Sequence, residues 1–423
     1  MVEKSVFSSV KRCVLGNGLT LLFLESRKQP VVSIRTDIGS GVLRETPLRA
    51  GLARLTGAML QEGQNGLDAY ALSRAVDSLG GILRTDTRGA RIKLLAEDFQ
   101  EGLELLAGCL LRPSFGEEAL DRLRTRTLDA MKQAEENPAR QASLAFDRLV
   151  YGKHPFHRPA EGTPETVSRI RRRDLVAWHR KLFVPSNAVI SICGDVDSDQ
   201  VTKSIISLFG DWKNRSVPPI PRFRVRRQKT VRRSWIPMDR EQVHIYLGHL
   251  GIRRDDSAFP ALQVLDTVLG AGSGFTDRIS RDLRDEQGLA YTVYASICAD
   301  AGRVPGTFRA YIGTDPGSAE LAIQGILKHV KRIRKERASR EELEIAIEAV
   351  RGNYASSYET VSQKAGYMVF LERYGLPLDY PSRFLRAVGR LKVGELRSVA
   401  QRHLNEEHYS LSVAGPPSAG RRV

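Results

Sequence analysis

A stretch in the first half of the chain returns in the second without a gap. Val167-Ser-Arg-Ile-Arg-Arg-Arg-Asp-Leu175 through Ile190-Ser-Ile-Cys-Gly194 matches Val388-Gly-Arg-Leu-Lys-Val-Gly-Glu-Leu396 through Leu411-Ser-Val-Ala-Gly415, always 221 positions apart. In each copy an acid (Asp174, Glu395) opens an amphipathic helix, a short polar turn follows, and an alternating strand ends in Gly. Upstream, the run 51–60 resembles 261–270, and 73–81 resembles 280–288. A period of about half the chain marks a duplicated domain, because solenoid repeats are far shorter. The chain must fold twice to one plan.

That plan reads most clearly in the first half. Leu19–Leu24 and Val31–Ile38 are strands, the first opened by the turn Gly16-Asn17-Gly18. Two helices follow at 50–62 and 69–79, the second stopped by Gly80-Gly81, then a hairpin at 82–87 and 90–96, then helices at 99–111 and 117–136. Strands and helices in runs, without strict alternation, predict an α+β fold of two similar sandwich-like halves with mainly antiparallel sheets covered by helices. The sharpest break in composition is Ser216 to Pro237, where Val217-Pro-Pro-Ile-Pro221 precedes seven Lys and Arg residues and no acid. Proline resists helix and central strand, and like charges repel, so this segment predicts a solvated connector. The predicted organisation is therefore an N-terminal half at 1–215, a basic Pro-rich linker at 216–237 and a C-terminal half at 238–423.

Composition excludes several classes. With 41% hydrophobic and 27% charged residues over 423 positions, the chain buries a core and is not disordered. Its apolar runs are strand-length, so no membrane span is expected, and the N-terminus lacks the apolar run of a secretory signal. Cys13, Cys109, Cys193 and Cys298 are scattered and form no CxxC pair, which suits a reducing compartment, and a cytoplasmic location is expected. The net charge of +16 attracts acidic partners, but no nucleic-acid-binding module accompanies it, so no specific nucleic acid is expected.

Five landmarks occur in order: Gly16-Asn-Gly-Leu-Thr-Leu, Pro30-Val-Val-Ser, Arg49-Ala-Gly-Leu-Ala, His154-Pro-Phe-His-Arg-Pro-Ala-Glu-Gly-Thr-Pro-Glu, and Arg281-Asp-Leu-Arg-Asp-Glu-Gln-Gly-Leu-Ala-Tyr-Thr-Val-Tyr294. Together they resemble the pitrilysin/insulinase family of zinc peptidases, in its half-size branch similar to mitochondrial processing peptidase. That family places an inverted motif, HxxEH, on one helix: two His bind zinc and the Glu activates water. Here the corresponding positions hold Arg54, Gly57 and Ala58, and the third-ligand position falls around Asp129-Ala130. Arginine and alanine do not hold zinc, and glycine offers no carboxylate. The resemblance thus implies a non-metal subunit, inactive alone, with no cofactor of its own and zinc expected in an HxxEH-bearing partner.

The second-half motif keeps what the first lacks. In the family an Arg/Tyr pair contacts the substrate backbone, which places that role on Arg284 and Tyr291. By themselves the two also read as a helix-end cation and a strand aromatic. The segment 269–278 carries Gly272 and Gly274, which read as a plain loop or, by similarity, as lining for a bound peptide. The strand at 82–87 is, by similarity, the sheet edge to which an extended peptide adds. The eight His show no helical pairing with an acid and a second His, so no metal site is expected on this chain. The expected partners are a similar HxxEH-bearing subunit, forming a heterodimer, and a peptide substrate. The alternative is a non-enzymatic scaffold of the same fold, which loss of metal ligands fits equally well.

Overall fold

The structure, a computed structural model, describes residues 6–272 and 276–417. Thirteen strands occur among them: β1 (Lys11–Val14), β2 (Thr20–Glu25), β3 (Val31–Ile38), β4 (Gly63–Gln64), β5 (Leu67–Asp68), β6 (Ile82–Asp86), β7 (Gly89–Leu95), β8 (Ala188–Gly194), β9 (Arg232–Pro237), β10 (Val243–Leu250), β11 (Val293–Ser296), β12 (Thr307–Thr314) and β13 (Ser410–Gly415). They form a six-stranded sheet, β1-β2-β8-β3-β7-β6, and a five-stranded sheet, β11-β12-β10-β13-β9, with β4 and β5 as a small separate ladder. All pairings are antiparallel except β2 with β8 and β13 with β9. The protein is α+β with largely antiparallel sheets.

The repeat in the sequence is a repeat in the sheets. Strand β8 lies between a parallel neighbour, β2, and an antiparallel one, β3. Its counterpart β13 likewise lies between parallel β9 and antiparallel β10. The duplicated residues Ser191 and Ser412 face Arg35 and Tyr246 respectively, which puts the two sheets in register with each other. Strand β9 occupies the last part of the segment expected to be a connector. Its place at a sheet edge, with Pro237 as its final residue, is where a ladder tolerates proline.

Two compact units result, one from Met1–Met131, Pro159–Arg222 and Ser356–Pro381, the other from Lys132–Arg158, Phe223–Ala355 and Ser382–Val423. In the first, alternation along β2 sends Leu21 and Phe23 into a core with the helices Leu52–Met59, Phe99–Leu111, Arg172–Leu182 and Ser198–Phe209. The opposite residues, Leu22 and Leu24, join Cys193 beneath Ala365, Met368 and Leu371 of the helix Val361–Tyr374. In the second unit Ala142, Phe146 and Val150 of the helix Pro138–Tyr151 pack on Tyr246, Leu250 and Ala414. Each sheet thus carries apolar side chains on both faces, and each takes its second cover from a helix encoded in the other half of the sequence. Fully burying one such side chain contributes about 1.5–3 kcal/mol. Among the described residues no helix is long and apolar enough to cross a membrane.

Candidate functional site

The degenerate motif lies on the helix Leu52–Met59. The buried Glu45 carboxylate secures its start, accepting from Ala53 N at 2.7 Å and Gly51 N at 3.3 Å. Arg54 points to solvent, whereas Gly57 is buried against the end of β6. A Cβ built on Gly57 would lie 2.4 Å from the carbonyl carbon and oxygen of Asp86 and 2.6 Å from Thr87 N, closer than real Cβ atoms approach backbone. Backbone fills the space that a side chain at this position would need. Asp129 and Ala130, at the third-ligand position, are exposed on the helix Glu117–Glu135. Among the described residues no group of three or more His, Cys, Asp or Glu could hold a metal ion. The residues at these positions do not fit zinc.

Two buried histidines serve the fold. His154 accepts from Phe156 N at 3.1 Å, starting a short 3-10 turn, and packs edge-on against Phe156 and Phe223. His249 receives Asn405 N on Nε2 at 3.1 Å and approaches the Leu250 carbonyl with Nδ1 at 3.0 Å. Burial pushes both imidazoles down to about 4, so they are neutral at physiological pH.

Beside the Gly57 helix, β6 is a terminal strand of its sheet. Leu83 turns into the core while Ile82, 55% accessible, turns outward. A cavity of about 380 Å³ runs along this edge, lined by Glu62, Leu72, Ser73, Asp77, Ile82 and Arg84 among others. An edge with room beside it can accept an added strand through its unpaired backbone groups.

The Arg/Tyr motif lies in the other unit. Asp277 accepts from Ser280 N at 2.8 Å and from Gly272 N at 3.2 Å, tying the glycine segment to the start of the following turn. Gly272 is crowded: an added Cβ would lie 2.9 Å from Asp277 N and 3.0 Å from the Thr267 carbonyl. Gly274 lies outside the described residues. Arg281–Glu286 then winds as a π-helix, a wide turn common at functional sites. Gly288, at φ +64°, takes the left-handed conformation that reverses the chain towards β11. Leu283 is buried, and the Arg284 guanidinium lies 5.5 Å from the centre of the Tyr291 ring. Tyr291 is 85% accessible. A phenol and a guanidinium side by side can donate to a carbonyl oxygen that gains negative charge.

Sequence reasoning missed what holds this turn. Asp282 accepts from Gln287 Nε2 at 2.6 Å and from Lys328 Nζ at 3.1 Å, and its carboxylate lies 2.6 Å from His329 Nε2. Partial burial would raise the Asp282 carboxyl, but the bonds from Gln287, His329 and Lys328 outweigh it and hold it down at about 2. The sequence signal was His329 itself. It falls on the apolar stripe of the helix Ala319–Lys335 with Ala322, Ile326, Val330 and Ile333, where a histidine needs a partner.

Comparisons with known proteins agree with this architecture. The model of the insulinase family, peptidase family M16, matches residues 21–163, and the model described as the peptidase M16 inactive domain matches residues 169–350. The chain belongs to the M16 peptidase family, as a half-size member without the HxxEH residues. It is 25% identical over 417 residues to the uncharacterized zinc protease YmxG of Bacillus subtilis, covering 96% of this chain and 98% of that one. It is 24% identical to a protein of Helicobacter pylori named a non-peptidase homolog, over 90% of this chain and 88% of the other. A crystal structure of a peptidase M16 inactive domain from Pseudomonas fluorescens superposes with a TM-score of 0.90 at 25% identity, covering 96% and 98% of the two chains.

Proposed function

We propose that this chain is the metal-free subunit of a heterodimeric zinc peptidase. An HxxEH-bearing partner supplies the zinc and the water-activating carboxylate, and this chain presents Arg284 and Tyr291 to the peptide, with Gly272 lining its path. The observation that carries this reading is the exposure of Tyr291, stacked beside Arg284 on a turn braced by Asp282, in a chain whose own metal helix is closed by backbone at Gly57. A scaffold has no use for a pair of oxyanion donors. The edge of β6 supports peptide binding, since an extended substrate is held there by main-chain bonds. The free cysteines suit the cytoplasm.

The test is to purify the chain alone and together with an HxxEH-bearing homologue, and to assay peptide cleavage with and without a chelator. Cleavage is expected only from the pair, abolished by the chelator and reduced by Tyr291→Phe and by Arg284→Ala. Cleavage by the lone chain would refute the division of labour. A pair that cleaves equally well with both substitutions would remove the role of these residues. The name of the Helicobacter pylori relative favours a second reading, a non-enzymatic structural subunit, which predicts a stable complex without cleavage.

A further inference from the structure

Three arginines stand in one row across neighbouring strands. Arg35 on β3 is directly opposite Arg91 on β7, and Arg91 is directly opposite Arg84 on β6. The next row on that face is Ser33, Lys93 and Ile82. Like charges in opposed positions repel, so this arrangement costs stability unless an anion joins it. Asp86 lies 3.5 Å from Arg91, but among the described residues no carboxylate comes within ion-pair distance of Arg35, Arg84 or Lys93. Arg35 sits partly beneath the helix Val361–Tyr374, where burial and then the charges of Arg88 and Arg91 lower its hold on its proton, only partly offset by Asp86 and Asp37.

The fold does not demand the row. In the second unit the corresponding positions on β10, β12 and β11 hold Tyr246, Tyr311 and Tyr294, again directly opposite one another. Their rings pack tilted against one another, with centres 4.9 and 5.3 Å apart. Neutral aromatic side chains therefore satisfy the same sheet positions, and the charge in the first unit needs its own reason.

The surroundings supply one. The exchanged helix covers β3 and β8 and leaves a cavity of about 520 Å³ over β7 and β6, lined by the three arginines, Lys93, Tyr367 and Phe370 among others. The row ends at β6, the free edge of the sheet. A peptide strand added there places every second side chain on this face, one beside Arg84 and another, two residues along, beside the exposed Ile82. Resting on the peptide-binding reading above, we propose that the Arg84-Arg91-Arg35 row selects extended peptides with an acidic side chain facing Arg84 and an apolar one two residues away facing Ile82. A compact inorganic anion would use the guanidinium groups but leave Ile82 and the edge backbone unengaged.

The experiment measures binding of two labelled extended peptides to the full chain by fluorescence anisotropy. One carries an apolar residue, a spacer and Glu, and the other has Gln in place of that Glu. The Glu peptide is expected to bind ~10-fold more tightly at low salt, as charge-assisted bonds to arginine allow, and to lose that advantage as salt rises. Arg84→Gln and Arg91→Gln should each remove most of the advantage while leaving the Gln peptide bound as before. Arg84→Lys should keep part of it, and Arg122→Gln, on the exposed helix Glu117–Glu135, should change nothing. Equal binding of the two peptides, or an advantage that survives both glutamine substitutions, would overturn the role of the row and leave the peptide-binding reading intact. Binding of neither peptide would overturn both. Arginine-dependent binding of tripolyphosphate without a preference for the Glu peptide would assign the row to a small polyanion instead.

Discussion

Gly57 rests its backbone on Asp86, so closely that a Cβ on Gly57 would meet the Asp86 carbonyl at 2.4 Å. The position that corresponds to the Glu of HxxEH thus has no room for any side chain. Substituting His for Arg54, Glu for Gly57 and His for Ala58 together should yield a protein that takes up no stoichiometric zinc, measured by metal analysis after dialysis. Gly57→Ala alone should cost about 1–3 kcal/mol in denaturant unfolding, as overpacking does. A stoichiometric zinc in the triple variant would show that β6 yields.

Tyr291 contributes to contact with the outside, not to the core. Its 85% accessibility predicts that Tyr291→Phe leaves stability unchanged within about 0.5 kcal/mol. In the assay with an HxxEH-bearing chain the same change should lower the cleavage rate by ~10²-fold, the usual effect of losing one donor to a developing oxyanion. A stability loss without a rate loss would mark a structural tyrosine.

The turn that carries Arg284 depends on Asp282. Asp282→Asn keeps the shape of the side chain but removes the charge that Gln287, Lys328 and His329 address. It should lower stability by about 1.5–3 kcal/mol, the range for bonds to a charged group. In the two-chain assay the cleavage rate should fall while the protein remains folded by circular dichroism. Lys328→Ala should have the smaller effect, because the Lys328 ammonium is exposed to solvent.

Acid should act on His249 in one direction. Its imidazole takes a proton at about 4 in the folded chain against an ordinary 6.5, because burial disfavours the charged form. The unfolded chain therefore binds more protons between those values, and stability is lost as pH falls through that window. Comparing unfolding midpoints of wild type and His249→Gln from pH 7 to pH 4 should show wild type losing ground to the variant as pH drops below about 6.5, with no further divergence below about 4. A difference that does not change with pH would show that His249 is accessible to protons in the folded state.

Much of this was readable from local pattern. The repeat spaced by 221 positions located β8 and β13, because each copy must fill the same slot between a parallel and an antiparallel neighbour. Residue chemistry at Arg54, Gly57 and Ala58 was enough to exclude zinc on that helix, since no arrangement of neighbours turns those side chains into ligands. The order of the landmarks was enough to place the chain in its family.

Other features are properties of distance, not of spacing. The helix Val361–Tyr374 covers a sheet whose strands all lie in the first half of the chain, and nothing in its own sequence names that partner. Asp282 and His329 are 47 positions apart, and the strand-to-strand register alone brings Arg35, Arg91 and Arg84 into one row. Hydrophobic periodicity dictates which side of an element is buried, because it depends only on neighbours along the chain. Which charges then face one another depends on how separate strands align, and that choice is made when the sheet assembles.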